Sequence, residues 1–392
     1  MTARHVLYVQ PNSEVGGSDI ALARTIEAMA STGQRSSVIL PGDGPLVPRL
    51  KAAGAEVHFL PMMQLRTLPS IRYQASFLLR FLPTVFKMRR LVRQIAPDVV
   101  HSNSAYCLYG AFAARLAGVP HVWHVREMAP QVPVLTACYA FMVRKLSSVI
   151  LAMSDACVDA LFHQRSAKVE AKTIVMPDAL DADAFRAPLQ PGRLRRDLSI
   201  AADRPIVGFA ARLDPWKGGD VFLEAAAIAA KSHPNAIFVM AGGSPAGLED
   251  HATDLKQQVT RLGLEDRVLF LGWRYQMEDM ADVMDAFDMF CHTSVVAEPF
   301  GLVLLEAMSV ATPVIAAKAG GPLTIIEDGV SGLLTTPGDA NALAKAIDGL
   351  LSDPKRAEAI GIAGQQRQEQ EFSIPRFVER LSAVYDKALA KP

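Results

Sequence analysis

Twelve short runs of β-branched, aromatic and aliphatic residues recur along this chain, each nearly unbroken in apolar character, with longer stretches of helical spacing lying between them. The first six are HVLYVQ, RSSVIL, EVHFLP, PDVVHSN, HVWHV and SVILAMS; after residue 200 come PIVGFAA, AIFVMAG, RVLFLG, DMFCHTS, TPVIAA and GLLTT. A strand with one wet face alternates apolar and polar residues. A run that is apolar at almost every position is buried on both faces, as in a parallel sheet covered by helices. Helical patterns over residues 19–32 and 219–233 supply crossovers. Two complete sets predict an α/β protein of two doubly wound, Rossmann-like domains, with a seam near residues 179–200, where Pro, Gly and charge cluster. Residues 1–190 form the first domain on this reading and 200–373 the second. Two such domains facing one another would enclose a central cleft lined by the carboxyl ends of both sheets, where open α/β sheets bind ligands.

Charge and composition exclude several partners. Lys plus Arg and Asp plus Glu number 40 each, so no global field draws the chain to nucleic acid. The four cysteines, Cys107, Cys138, Cys157 and Cys291, are too scattered for a zinc spacing and read as buried thiols in a reducing compartment. MTARHVLYVQP enters a strand-type run within a few residues, without room for a signal peptide, and no apolar run reaches the roughly 18 residues of a spanning helix. The expectation is a cytoplasmic protein, at most peripheral on the inner face of a membrane.

Three strand-to-helix loops carry chemistry. Gly16-Gly17-Ser18 follows the first strand; it fits either a plain turn or a backbone approach to an anion at a helix start, and its spacing is not the dinucleotide fingerprint. In GFAARLDPWKGGD, Arg212 and Lys217 lie five apart across a turn with Pro215 and Gly218. They read either as solvated cations or as a fork and an ammonium converging on a diphosphate. In AEPFGLVLLEAM, Pro299 suits the first turn of a helix whose start exposes the amides of Phe300, Gly301, Leu302 and Val303. With a rise of about 1.5 Å per residue, a helix from Glu298 onward would set Glu298 and Glu306 roughly 12 Å apart. That exceeds the about 5 to 9.5 Å of a glycosidase pair, so the two carboxylates read either as an exposed helical pair or as holding two ends of one long ligand.

The E-x7-E of AEPFGLVLLEAM, the R-x4-K of ARLDPWKGG, the early GGS, PGDGPLVPRLKAAGAEVHFLP and PVIAAKAGGPLTIIEDGVSGLLTTPGD stand in one order along nearly the whole chain. Together they resemble a retaining glycosyltransferase of the GT-B fold, family 4 (glycosyl transferases group 1). EFSIPRFVERLSAVYDKAL resembles that fold's last helix, so residues 374–392 are expected to pack back on the N-terminal domain. The resemblance implies that Arg212 and Lys217 bind the diphosphate of a UDP- or GDP-sugar, with the amides of Leu302 and Val303 adding to the cradle. It further implies that Glu306 holds the ribose, that Glu298 holds the transferred sugar, and that Gly16 and Gly17 approach the donor phosphate. Arg274, Phe300 and Gly301 join the donor site, and His124 and Asn103 face the acceptor. Arg212, Lys217, Glu298 and His124 are the catalytic set, with no cofactor and no metal. A buried structural imidazole is the alternative for His124.

Some positions depart from the family pattern. PDALD, residues 177–181, stands where Pro-Asn-Gly-x-Asp is usual, Ala311 where Gly is frequent before Thr-Pro, and Thr324 where Glu often follows the double glycine. Asp181-Ala182-Asp183 has a metal-ligand spacing but aligns with a family turn, and metal binding is set aside. Negative charge accumulates on the diphosphate as the sugar–phosphate bond stretches, and Arg212 and Lys217 would stabilise it there. The expected course is front-face attack with retention, the departing phosphate taking the acceptor's proton.

Between Glu56 and Asp98 there is no acidic residue, while Arg66, Arg72, Arg80, Lys87, Arg89, Arg90 and Arg93 mix with Phe77, Leu78, Leu79, Phe81, Leu82 and Phe86. This stretch, residues 66–93, suits an anionic membrane surface and a glycan or lipid-linked acceptor; a docked helix pair with a solvated basic face is the alternative. A sugar-nucleotide epimerase of the same architecture and a non-catalytic nucleotide-sugar binder are the rival activities.

Overall fold

The computed structural model describes residues 4–14, 17–64, 70–129, 132–245, 247–273 and 279–390. The chain divides into two compact units, residues 1–177 with 377–392, and residues 178–376. The first holds a seven-stranded sheet of β1 (His5–Val9), β2 (Arg35–Leu40), β3 (Glu56–Phe59), β4 (Val99–Ser102), β5 (His121–Val125), β6 (Val149–Ala152) and β7 (Thr173–Val175), in the order β3-β2-β1-β4-β5-β6-β7. The second holds β8 (Ile206–Ala210), β9 (Ile237–Ala241), β10 (Val268–Gly272), β11 (Met289–His292), β12 (Val314–Ala317) and β13 (Leu333–Thr335), in the order β10-β9-β8-β11-β12-β13. Every strand pair is parallel. In each sheet the strand order reverses beside the first strand, between β1 and β4 and between β8 and β11, and the crevice outside the carboxyl ends there is where such sheets take ligands.

The continuous apolar runs are central strands, buried at every position in β1, β4, β5, β6, β8 and β9. Helices cover them: Gly219–Ser232 turns Phe222, Leu223, Ala225, Ala226 and Ala229 inward, and the Phe222 ring meets Phe209 of β8 at 5.6 Å. The strand β7 was not expected; its three half-buried residues at a sheet edge give too short a pattern to stand out. The helix expected over 19–32 runs Gly17–Ala30.

The segment 179–200, read as the seam, groups with the second unit. Its charges are ties rather than linker: in the short helix Ala182–Arg186, Arg186 donates to the Ser309 carbonyl at 2.9 Å, and Arg193 pairs with Asp279 at 2.6 Å and Asp282 at 3.0 Å. Asp181 caps that helix through the Ala184 amide and Asp183 pairs with Arg186. The last helix, Ile374–Leu389, joins the first unit from Phe377 onward. Its buried stripe, Phe377, Leu381, Val384, Tyr385 and Ala388, has the i, i+4, i+7 spacing of one helical face, and Asp386 pairs with Arg4 at the foot of β1.

The basic stretch is a single helix, Ile71–Ile95, not a pair; Pro83 lies inside it without ending it. Phe77, Val85, Met88 and Val92 are buried, and Phe81 packs edge-on to Phe112 at 5.4 Å, whereas Ile71, Leu78, Leu79, Leu82 and Phe86 remain exposed. Arg66 lies outside the described residues. Three cysteines are buried as expected, but Cys138 is exposed because it faces outward from the helix Pro133–Leu146.

Candidate functional site

The loop after β8 is shaped by its glycine and pinned by β11. Pro215–Lys217 makes one 3-10 turn that ends at Gly218 in the left-handed region, φ 70°. A Cβ on Gly218 would lie 2.1 Å from the Thr293 carbonyl oxygen, so only glycine lets the loop approach this closely. Thr293 Oγ1 lies 2.9 Å from the Lys217 carbonyl oxygen and 2.8 Å from that of Gly218, and Val295 N donates to the Trp216 carbonyl. Lys217 is thereby fixed before any ligand contact: its ammonium lies 4.1 Å from the Trp216 ring centroid and donates to Glu298 Oε1 at 2.7 Å.

Glu298 is held from three sides. His292 Nε2 lies 2.6 Å from its Oε2 and Ser294 Oγ donates to the same oxygen at 3.0 Å. A carboxylate only accepts, so His292 carries its proton on Nε2. Burial alone would push the Glu298 carboxyl up, but the bond from His292 and the Lys217 charge outweigh it and hold the group well below the usual carboxylate range. From the far side, Gly321 N donates to the Glu298 carbonyl at 2.7 Å, and a Cβ on Gly320 would sit 2.2 Å from that oxygen. The double glycine after β12 thus supports the segment that presents Glu298.

Here the expectation of a helix from Glu298 is corrected. The helix is Leu302–Ser309, capped by Gly301 at φ 103°, and Glu298 precedes it on an extended segment bridged to Gly320. Glycine at the cap stops the helix from propagating backward, so the axial-rise argument for the two glutamates does not apply. Phe300 turns its ring inward against Phe372, 6.3 Å between centroids, and offers no exposed helical amide. Leu302 and Val303 occupy the first two helical positions, whose amides have no intrahelical acceptor.

A cavity of about 340 Å³ lies outside the carboxyl ends of β8 to β11, lined by Arg212, Lys217, His292, Glu298, Leu302 and Val303 together with Gly242, Trp273 and their neighbours. The structure therefore brings Arg212, Lys217, Glu298, Leu302 and Val303 to one place. Arg212, 57 % exposed, pairs with Asp214 at 2.8 Å, its guanidinium at the rim. Glu306, half-buried one turn after Leu302, stands on the same helical face but outside the lining set. Gly16 and Arg274 lie outside the described residues. His292, Ser294 and Trp273 escaped the sequence reading; the only signal was a histidine closing an otherwise apolar strand six residues before Glu298.

In the first unit, Asn103 Nδ2 donates to Gln10 Oε1 at 2.9 Å just beyond β4 and β1, and Gln10 in turn donates to Asp19 at the start of the helix Gly17–Ala30. His124 is buried on β5 beside His101 of β4, and Arg126 lies two residues further on. Burial first, and the nearby cation second, hold the His124 imidazole well below its ordinary value, so the ring is neutral.

A family model for glycosyl transferases group 1 matches residues 192–367 and one for a glycosyl transferase 4-like domain matches residues 16–177. The chain is 29 % identical over 404 residues to a D-inositol 3-phosphate glycosyltransferase of Stackebrandtia nassauensis, with 97 % of this chain and 89 % of the relative covered. It is 26 % identical to the 2-deoxystreptamine glucosyltransferase of Streptomyces kanamyceticus, covering 95 % of this chain and 99 % of that one. Among solved structures, Anabaena HepE in complex with UDP-glucose has a TM-score of 0.78 at 28 % identity, covering 98 % of this chain and 99 % of that one.

Proposed function

Because the chain belongs to the group 1, family 4 glycosyltransferases of the GT-B fold, we propose that it moves a sugar from a UDP-linked donor to a hydroxyl acceptor with retention, in polysaccharide or glycolipid assembly. The observation that carries this reading is the cavity at the β8–β11 switch point, where Lys217, Arg212 and the amides of Leu302 and Val303 meet Glu298. A diphosphate over the helix start would receive the Lys217 ammonium, the Arg212 fork and the helix dipole. These groups interact more strongly with the leaving diphosphate than with the ground state, which lowers the barrier. The exposed Trp273 indole at the cavity rim suits a nucleobase, Glu306 a ribose, and the solved UDP-glucose complex of HepE favours uridine.

Given retention, how Glu298 is bound favours front-face attack over a double displacement through that carboxylate. Both its oxygens are engaged and its proton affinity is low, which makes it a poor nucleophile or base. Oε1 keeps a lone pair for a hydroxyl of the transferred sugar. The departing phosphate takes the acceptor's proton. In this reading residues 178–376 bind the donor, and His124 and Asn103 in the first unit serve the acceptor side. Screening UDP-, GDP- and ADP-sugars by thermal shift tests the donor: a UDP-sugar should raise the midpoint by mass action, and a response to GDP- or ADP-sugars alone would refute it. Product analysis with acceptor present and absent then separates transfer from epimerisation.

We also propose that the helix Ile71–Ile95 seats the enzyme on an anionic inner membrane face. Ile71, Leu78, Leu79, Leu82 and Phe86 form one exposed apolar stripe by helical spacing, flanked by Arg72, Arg80, Lys87 and Arg90, and no helix among the described residues is long and apolar enough to cross a membrane. Vesicles containing phosphatidylserine should sediment the protein at low salt and release it at high salt; no binding at low salt would end this reading.

A further inference from the structure

Tyr8, His101 and His124 share one face of the first sheet. The register sets Tyr8 opposite His101 and His101 opposite Val122, and His124 lies two residues further along β5. Tyr385, from the last helix, closes onto that face. A single hydrogen-bonded chain results: Gln34 Nε2 to Tyr8 Oη at 3.1 Å, Tyr8 to Tyr385 hydroxyl at 2.9 Å, Tyr385 to His101 Nδ1 at 2.8 Å, and His101 Nε2 to His124 Nδ1 at 3.3 Å. All five side chains are buried, and His124 Nε2, at the end, is buried without a partner.

Neutral imidazoles carry one proton each, so the direction of every link depends on the others. Burial holds His101 down at about 3 and His124 well below its ordinary value, while Tyr8 is pushed up to about 12 and Tyr385 well above its ordinary value, so rings and hydroxyls all keep their neutral forms. In one direction Gln34 donates to Tyr8, Tyr8 to Tyr385, Tyr385 to His101 Nδ1, and His101 Nε2–H to His124 Nδ1. Every proton up to His124 then has an acceptor, and His124 is left with its own proton on Nε2, the one N–H of the chain that waits for a ligand. In the other direction the Tyr8 proton would point at the Gln34 amide N–H. Flipping that amide would relieve the clash only by replacing its unpaired oxygen, already without a partner, with unpaired N–H groups, which proteins tolerate less well.

Resting on the reading above that His124 meets the reacting sugars, we infer that Tyr385 is a positioning residue: through His101 it fixes His124 as the Nε2–H tautomer, a hydrogen-bond donor to a sugar or acceptor oxygen and not a base. The last helix thus acts on the site through a proton assignment. Nδ1 of His124, the only lone pair on its ring, is taken up by His101.

The test is ¹⁵N-histidine NMR of the full-length protein, with signals assigned from His101→Asn and His124→Gln, alongside steady-state kinetics with a UDP-sugar. Wild type should show His124 protonated at Nε2 and bare at Nδ1. Tyr8→Phe removes one equally buried hydroxyl yet leaves Tyr385 donating to His101, so the tautomer and most of kcat should survive. Tyr385→Phe should yield mixed tautomers and a fall in kcat of roughly tenfold, the low end for loss of an orienting partner, with donor KM little changed. A His124 proton on Nδ1 in wild type would overturn the inference, even if Tyr385→Phe fails to fold. So would a Tyr385→Phe enzyme with one tautomer and full kcat. If the Nε2–H signature is present but no UDP-sugar is consumed with any acceptor, the transferase reading of the site falls and the network stands.

Discussion

Along β4 and β5 the first unit buries three imidazoles, His101, His121 and His124, that remain neutral; after β11 the second unit buries a full carboxylate, Glu298, against the Lys217 ammonium. Both sites lie near the carboxyl ends of parallel strands at or next to a topological switch point, built by the same kind of fold. Under the proposed function, the difference follows from what each would hold. A leaving diphosphate changes its charge distribution as it departs and is best met by fixed cations and amides. An attacking hydroxyl is met by neutral donors and acceptors that orient it without trapping its proton. A buried charge survives only with partners, and Glu298 has Lys217, His292 and Ser294; the imidazoles meet burial by releasing their charge.

The comparison breaks most visibly at Lys217. Lys217→Ala should lower kcat by roughly 10²- to 10³-fold, as loss of one transition-state donor does, with a smaller change in donor affinity. If Glu298 acted only to hold Lys217, Lys217→Ala combined with Glu298→Gln would be no worse than Lys217→Ala alone; a further fall in kcat is expected, from the lost sugar contact.

The pH dependence of stability sharpens the contrast. An imidazole whose folded pKa is depressed from 6.5 costs nothing above that value and destabilises as pH falls below it, because only the unfolded chain takes up the proton. Each of the three should remove about 1.4 kcal/mol per pH unit once well below that value. Glu127, pushed up by burial, works in the opposite sense but is a single group. Glu298 is depressed from 4.5, so its contribution is present above that value and is lost only as pH falls below it. Native hydrogen exchange, corrected for intrinsic rates, should show the first unit losing protection between pH 6.5 and 4.5 while the second keeps it; equal losses would contradict the assignment of neutral histidines.

The smallest effect is expected at Ala311. It sits at φ 59°, a left-handed conformation that an alanine adopts at a cost, which accounts for the glycine usual there in the family. Ala311→Gly should stabilise the protein by roughly 0.5 kcal/mol, the strain relieved less the entropy glycine adds to the unfolded chain, and denaturant unfolding would read it.

Much of this was legible from local pattern. Strands buried on both faces announce themselves as apolar runs, helices by their spacing, and the loops bearing Arg212, Lys217 and Glu298 by where they fall between the two. The three-residue β7 and the outward-facing Cys138 were missed because so short a segment and so local a rotation leave little periodic trace. The start of the helix after Glu298 was misread because proline permits a helix to begin, whereas the left-handed Gly301 decides where it does.

The two doubly wound sheets and the loops that bear the site are legible in the chain alone, because strand and helix periodicities are written into neighbouring residues. Which oxygen of Glu298 meets Lys217, that His292 joins them, and that Tyr385, 284 residues beyond His101, reaches it are settled by the three-dimensional packing. Those pairings depend on strand register and helix docking, which bring together groups whose separation along the chain carries no periodic signal.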